Sequence, residues 1–289
     1  MLFLLGVLIM LLLILQAVAF LTLLERHLLG GSQCRIGPNK VGFNGILQAV
    51  FDGVKLMKKE QIVLSGSSFF MFLVVPVMGF LAMMTVWFTL YYFFEFLSFK
   101  YSGVFLLCVM SFFVFPVLLS GVFSSSKYSF LGGLRSSVQS FSYEIAFSLY
   151  LLCLLFCWGG LMIFSGFFLV FYIMFFCVLF FVLVDLHRAP FDFSECESEL
   201  VSGYNVEYSS VGFAILFLGE YGNIIFFSCL LSCLFFSFSF GVVYLMLFFV
   251  IFSRSAYPRF RFDKLMGVCW LSFLPLGIYL FGAYLFVFF

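Results

Sequence analysis

Charge is what this chain has least of: Asp, Glu, Lys and Arg make up 9% of its 289 residues, and His occurs only twice. Soluble domains carry about a quarter of their residues as charges, so a solvated globular fold is excluded. The net charge is +1 and the fourteen Lys and Arg residues are scattered, which leaves no basic patch for nucleic acid. No GxGxxG follows a strand-like run and no GxxxxGK[ST] occurs, so a nucleotide site is not expected. No HExxH occurs, and His27 and His187 fall at one membrane face, which excludes a haem held between helices by two histidines. Nine cysteines are present without a CxxC pair, so neither a zinc site nor a thiolate-bound cluster is expected. The metal expectation is none.

What is there is apolar: 65% hydrophobic residues and a mean hydropathy of +1.24. These describe an all-α polytopic membrane protein, read as one membrane domain over residues 1–289. Fifty residues are Phe, and because Phe codons are TTT and TTC, that excess points to a thymine-rich, organellar genome. The first run, Leu2–Leu24, has no basic segment before it and no small-residue cleavage site, so it reads as a retained transmembrane helix. Further spans are predicted at Ser68–Leu90, Ser102–Phe123, Phe141–Trp158, Gly166–Val184, Ser210–Leu231, Phe235–Phe252 and Gly267–Phe289, eight in all. The runs Ile145–Val184 and Val211–Val250 must each be a pair, because forty helical residues would be about 60 Å long, twice a bilayer core of about 30 Å. Trp158-Gly159-Gly160 and Ser165-Gly166 mark the first turn, and Ser237, Ser239 and Gly241 mark the second more weakly.

The eight-span reading sorts the bases. Loops 25–67, 124–143, 185–209 and 253–266 hold thirteen of the fourteen Lys and Arg residues, and Lys100 stands alone on the other side. By the positive-inside rule those four loops face inward and both termini face outward. In the first loop the glycines and Pro38 are expected to prevent continuous helix from Glu25 to Gly42. Beyond it, Gln48, Asp52, Lys55 and Lys59 recur opposite Leu47, Val50, Phe51, Val54 and Met57, which predicts an amphipathic helix lying along the interface after helix one. That helix reads equally as a surface anchor or as the rim of a site. The last loop alternates Arg259, Phe260, Arg261 and Phe262, a pattern that by itself fits lipid head-group anchoring.

The acids are distributed differently. Six of thirteen carboxylates, Asp185, Asp192, Glu195, Glu197, Glu199 and Glu207, fall between Asp185 and Tyr208, with Arg188 as the one base among them. Mutual repulsion raises and couples the titrations of such a cluster, so it can hold and pass protons; a solvated acidic loop is the alternative. Glu144 stands at the mouth of helix four, with Arg135 as its expected partner, and Glu220 about ten residues inside helix six. Ionisable groups at that depth are expensive and mark function.

Four segments carry a resemblance: RIGPNKVGFNGILQAVFDGVKLMKKE, SKYSFLGGLRSSVQSFSYE, RAPFDFSECESELVSGYNVEYSSVGFAILFLGEY and SRSAYPRFRFDKLM. Together they resemble the subunit 1 family of mitochondrial NADH:ubiquinone oxidoreductase, respiratory complex I, over all four inside loops and helices four and six. The resemblance implies a multi-pass subunit of the mitochondrial inner membrane, with charged loops on the matrix side and termini on the intermembrane side. It implies a ubiquinone tunnel and the start of a carboxylate proton route, with FMN and iron–sulfur clusters held only by partner subunits. The implied partners are the hydrophilic-arm quinone-site subunits, neighbouring small membrane subunits, the lipid bilayer and the quinone.

By matching position the resemblance assigns Arg26, Arg35 and Asp52 to the tunnel entrance. Arg188, Asp192, Glu195, Glu197 and Glu199 fall to the chamber, and Arg135 is the cation of the second loop. Glu144, Asp185 and Glu220 start the proton route, with Glu207 and Tyr208 near it. The chain departs from the family's AETNRAPFD at Val184, Asp185, Leu186 and His187, and has Cys196 and Phe43 where Gly and Pro are usual. Three other readings explain less: a stand-alone ion transporter, the membrane subunit of a hydrogenase-type complex, and a plain anchor.

Overall fold

The computed structural model describes residues 2–63, 66–91, 99–157, 160, 163, 172–194, 200, 202–236 and 238–288, and among these there is no strand. Ten helices follow in order: α1 Leu2–Ser32, α2 Ile46–Lys58, α3 Phe69–Val86, α4 Ser102–Phe123, α5 Lys127–Cys157, α6 Tyr172–Asp185, α7 Ser210–Phe236, α8 Phe240–Ala256, α9 Phe262–Val268 and α10 Leu274–Phe288. Six helical segments are long and apolar enough to cross a membrane, α9 and α10 counting as one through the π-turn Cys269–Phe273. Two shorter apolar helices, Met174–Asp185 and Phe240–Ala256, accompany them.

Two helices run further than their apolar stretches. α1 continues two turns past Leu24, because Glu25, Arg26, His27 and two leucines are adequate helix formers. The glycine pair marks its end: the N–H of Cys34 bonds the carbonyl of Gly31 at 3.2 Å and that of Arg35 the carbonyl of Gly30 at 2.9 Å. The segment from Glu25 to Gly42 is thus not continuous helix, as expected, but the loop begins after Ser32 and not at Glu25. Likewise α5 starts at Lys127, so most of the polar stretch 124–143 is helical and Glu144 stands in mid-helix. The reason is packing: Gly132 and Gly133 let backbones approach, since a Cβ on Gly132 would lie 2.9 Å from the Cα of Gly203 and one on Gly133 3.0 Å from that of Gly121.

The second forty-residue run does break, with Phe238 at φ 32 and Ser239 extended between α7 and α8. Ser237 lies outside the described residues, as do Trp158, Gly159, Ser165 and Gly166 of the first turn. α4 packs between α3 and α5, α7 against α3, α8 and α1, and α10 against α5. The Phe excess is used for ring-on-ring packing. Phe181 meets Tyr150 at 5.1 Å and Phe273 at 5.1 Å edge-on, and Phe180 stacks on Phe273 at 4.8 Å.

α2 buries none of its residues within this chain, and Leu47, Val50, Phe51, Val54 and Met57 are open. It is held instead at its polar face and its end. Asp52 pairs with Arg26 of α1 at 2.8 Å, and the hydroxyl of Ser210 donates to the carbonyl of Lys59 at 2.8 Å.

Candidate functional site

Two polar clusters lie inside the bundle. The first surrounds Glu25, whose carboxylate accepts a bond from the Tyr221 hydroxyl at 2.6 Å and pairs with Arg254 at 2.6 Å and Arg188 at 3.6 Å. The Arg188 guanidinium also lies over the Tyr221 ring, 4.3 Å from its centroid. Glu25 and Arg188 are both buried, so each neutralises a charge that the other would leave stranded. One loop further on, buried Asp192 faces Arg259 at 3.6 Å, while the Phe260 N–H bonds the Pro190 carbonyl at 3.0 Å.

The second cluster lines a cavity of about 80 Å³ between α4, α5, α6 and α7. Glu144 of α5, Asp185 at the end of α6 and Glu220 of α7 all face it, with His187, Tyr204, Ser140 and Asn223. The Tyr204 hydroxyl donates to Glu220, and Asn205 Nδ2 donates to the same carboxylate oxygen at 3.4 Å. Glu144 Oε1, Asp185 Oδ2 and His187 Nδ1 are buried without a hydrogen-bond partner among the described residues. Burial pushes the His187 imidazole down to about 4, because charging it there forfeits hydration. Gln139, fully buried, ties α5 to the end of α6 and the loop after it: its Nε2 donates to the carbonyls of Val184 at 2.9 Å and Phe191 at 3.1 Å.

The expected pairing of Arg135 with Glu144 is not formed. Nine helical residues separate them, about 13.5 Å of rise, beyond the reach of one side chain to the other. Arg26 and Asp52 are brought together as above, whereas Arg35 is exposed and bonds Gln33 at 2.8 Å. Tyr208 packs in an apolar cluster, stacked on Phe72 at 4.4 Å, and burial raises its phenol. Glu207 beside it is half-buried and lines neither cluster. Glu195, Cys196, Glu197 and Glu199 lie outside the described residues. Among the described residues no group of three or more His, Cys, Asp or Glu converges to hold a metal ion.

A family model described as NADH dehydrogenase matches residues 5–285. The chain is 43% identical to NADH-ubiquinone oxidoreductase chain 1 of Anopheles gambiae, over 96% of this chain and 93% of that one. It is 43% identical to the same-named protein of Heterololigo bleekeri, over 90% and 89%, and 37% identical to that of Cyanidium caldarium, over 91% and 84%. The chain belongs to the NADH dehydrogenase family. Within it, the chain aligns along most of its length with NADH-ubiquinone oxidoreductase chain 1 proteins.

For this NADH dehydrogenase family member, sequence reasoning missed the centre of the first cluster. Glu25 stands one residue past the apolar run and was read as the edge of a loop. The signal was available: the rule that made Glu220 a candidate, an acid inside a helix of a membrane protein, applies equally once α1 is known to continue. Tyr204, Asn205 and Tyr221 had no such signal, since aromatic and amide residues in a short turn or an apolar helix are ordinary.

Proposed function

We propose that this chain is the membrane subunit of a proton-pumping NADH:ubiquinone oxidoreductase of the mitochondrial inner membrane. In this reading it forms the ubiquinone passage and the start of the carboxylate route that couples quinone reduction to proton translocation. FMN and iron–sulfur clusters in partner subunits supply the electrons. Arg26, Asp52 and Arg35 lie at the quinone entrance with α2 along the interface as its sill, and Arg188, Asp192, Glu195, Glu197, Glu199 and Tyr208 belong to the chamber. Arg135 is the cation of the matrix face, and Glu207 stands beside the path.

One observation carries the proton-route reading. Glu144, Asp185 and Glu220 come from three separate stretches of chain and meet at one cavity. Each buried acid costs several kcal/mol unless paired, so three together are maintained against a steep penalty. A cavity of about 80 Å³ exceeds the roughly 15 Å³ that one water needs, so water can join the acids into a proton path. Reducing a quinone takes two electrons and two protons, and a charge change at the chamber shifts the titration of acids coupled to it.

Contacts between elements support eight crossings. Arg188 and Arg254 both reach Glu25, so the loop after α6 and the last turn of α8 share the bundle end where α1 leaves its apolar run. The Ile163 N–H bonds the Ser102 hydroxyl at 2.9 Å, which puts the turn after α5 at the opposite end. In this reading α6 and α8 lie on the two legs that return the chain between those ends.

The test is to compare proton translocation with quinone reduction in the assembled complex carrying Glu144→Gln or Glu220→Gln. Each variant is expected to assemble, to keep NADH oxidation by an artificial acceptor, and to lose proton translocation by about tenfold or more. Translocation at the wild-type rate in both would remove these acids from the route.

A further inference from the structure

His187 is a titratable group that this route leaves unused. It follows α6 at φ 49, its backbone N–H bonds the Val184 carbonyl at 3.1 Å, and its ring lines the cavity with Nδ1 buried and unpartnered among the described residues. The titratable groups facing that cavity are Glu144 from α5, Asp185 from α6 and Glu220 from α7, with the Tyr204 phenol from the turn before α7, while α4 lines it with Met110, Phe113, Val114 and Val117. No Lys or Arg stands among the described residues that line it. Arg188, next in sequence, is engaged by Glu25 and Tyr221, though its charge is still felt by Glu220, as is that of Asp192. Three acids therefore share a cavity whose one lining base is an imidazole.

We propose, on the reading of this cavity as a proton route, that His187 is its titratable counter-charge, exchanging a proton with the carboxyls of Asp185 and Glu144. In that exchange a carboxyl O–H breaks with its electron pair staying on oxygen, and an N–H forms on the Nδ1 lone pair. The product is an imidazolium beside a carboxylate, and nothing else is consumed. Burial holds the ring neutral near pH 7, and in the proposed exchange an acid of the cavity, once ionised, favours the imidazolium. Protonation of the ring grows as pH falls. Below its ionisation the ring is already charged and accepts nothing more, so His187 acts on the acid side of the pH profile.

The test is the pH profile of NADH-driven proton translocation across about pH 5 to 8 in the assembled complex, wild type against His187→Asn. Asn is among the residues best tolerated at positive φ, so the backbone is kept. Each variant's turnover near pH 8 is its own reference, and relative to that reference the acid limb is expected to move down by about one pH unit or more in His187→Asn. Superimposable profiles would overturn the assignment. If the Asn variant does not assemble, His187→Gly suits the same φ and carries the same comparison; failure of both to assemble would overturn it in favour of a structural ring. Full translocation in Glu144→Gln and Glu220→Gln would bring down the route itself, whereas lost translocation there with an unshifted His187→Asn profile would bring down His187 alone.

Discussion

At Glu25 one carboxylate accepts from Tyr221 and faces two guanidiniums, in a position with little access to water. The energetics of such a group are lopsided. The intact pair roughly offsets its own desolvation, but removing one member leaves the other buried and uncompensated, at a cost of about 3 to 5 kcal/mol. Glu25→Gln is therefore expected to lower the thermal stability of the purified complex more than Arg254→Gln does, because Arg254 is partly exposed and Arg188 is not. The double variant Glu25→Gln with Arg254→Gln should recover part of the loss, giving a coupling of about 1 kcal/mol or more in a mutant cycle of melting temperatures. Additive losses would show that the 2.6 Å contact contributes no more than a surface pair.

Helix α5 links this residue chemistry to the fold. Along one element it carries Gly132 and Gly133 for close backbone approach, Gln139 to tie down the end of α6, Glu144 for the cavity wall, and Tyr143, Phe147 and Tyr150 for the core. Gly132 abuts the Gly203–Asn205 turn that holds Tyr204 and Asn205 against Glu220. Gly132→Ala would press a methyl into that backbone, with an expected loss of about 1 to 3 kcal/mol and a displaced Tyr204. Translocation should fall together with melting temperature. Gly219→Ala, where a Cβ meets nothing within 4 Å, should leave both unchanged or raise stability by up to about 1 kcal/mol. Equal losses in the two variants would mean that the close approach at Gly132 does not matter.

The same helix shows how far sequence reading goes. Glu144 and Glu220 stood out because an acid in an apolar run is expensive to keep, and the start of α4 at Ser102 followed directly from hydropathy. The start of α5 did not. Hydropathy sees Ser, Gly and Gln as loop, yet here each serves helix packing: the glycines face other backbones and the buried serines, Ser136 and Ser142 among them, return their hydroxyls to their own helix's carbonyls. The Arg135–Glu144 pairing failed for the same reason, since residues nine apart are close in a loop and far apart in a helix.

Over the whole molecule, chain topology decides whether these clusters share one side of a membrane. If α6 and α8 both cross, the loops at 25–67, 124–143, 185–209 and 253–266 face one compartment with thirteen of the fourteen basic residues. If only the six longer segments cross, α5 leaves the chain on the Lys100 side and the acidic loop stays there. That alternative would separate Arg188 from Glu25 by a bilayer core of about 30 Å, against a contact of 3.6 Å. Exposed Cys34 provides the reference, and Val206→Cys, at a partly exposed position just before α7, the probe. In inverted inner-membrane vesicles washed free of the peripheral arm, a charged, impermeant maleimide is expected to label both positions, and in right-side-out mitoplasts neither. Labelling of Cys34 in inverted vesicles with Val206→Cys reactive only in mitoplasts would leave α6 uncrossed, and the acids of the cavity could not then form one route.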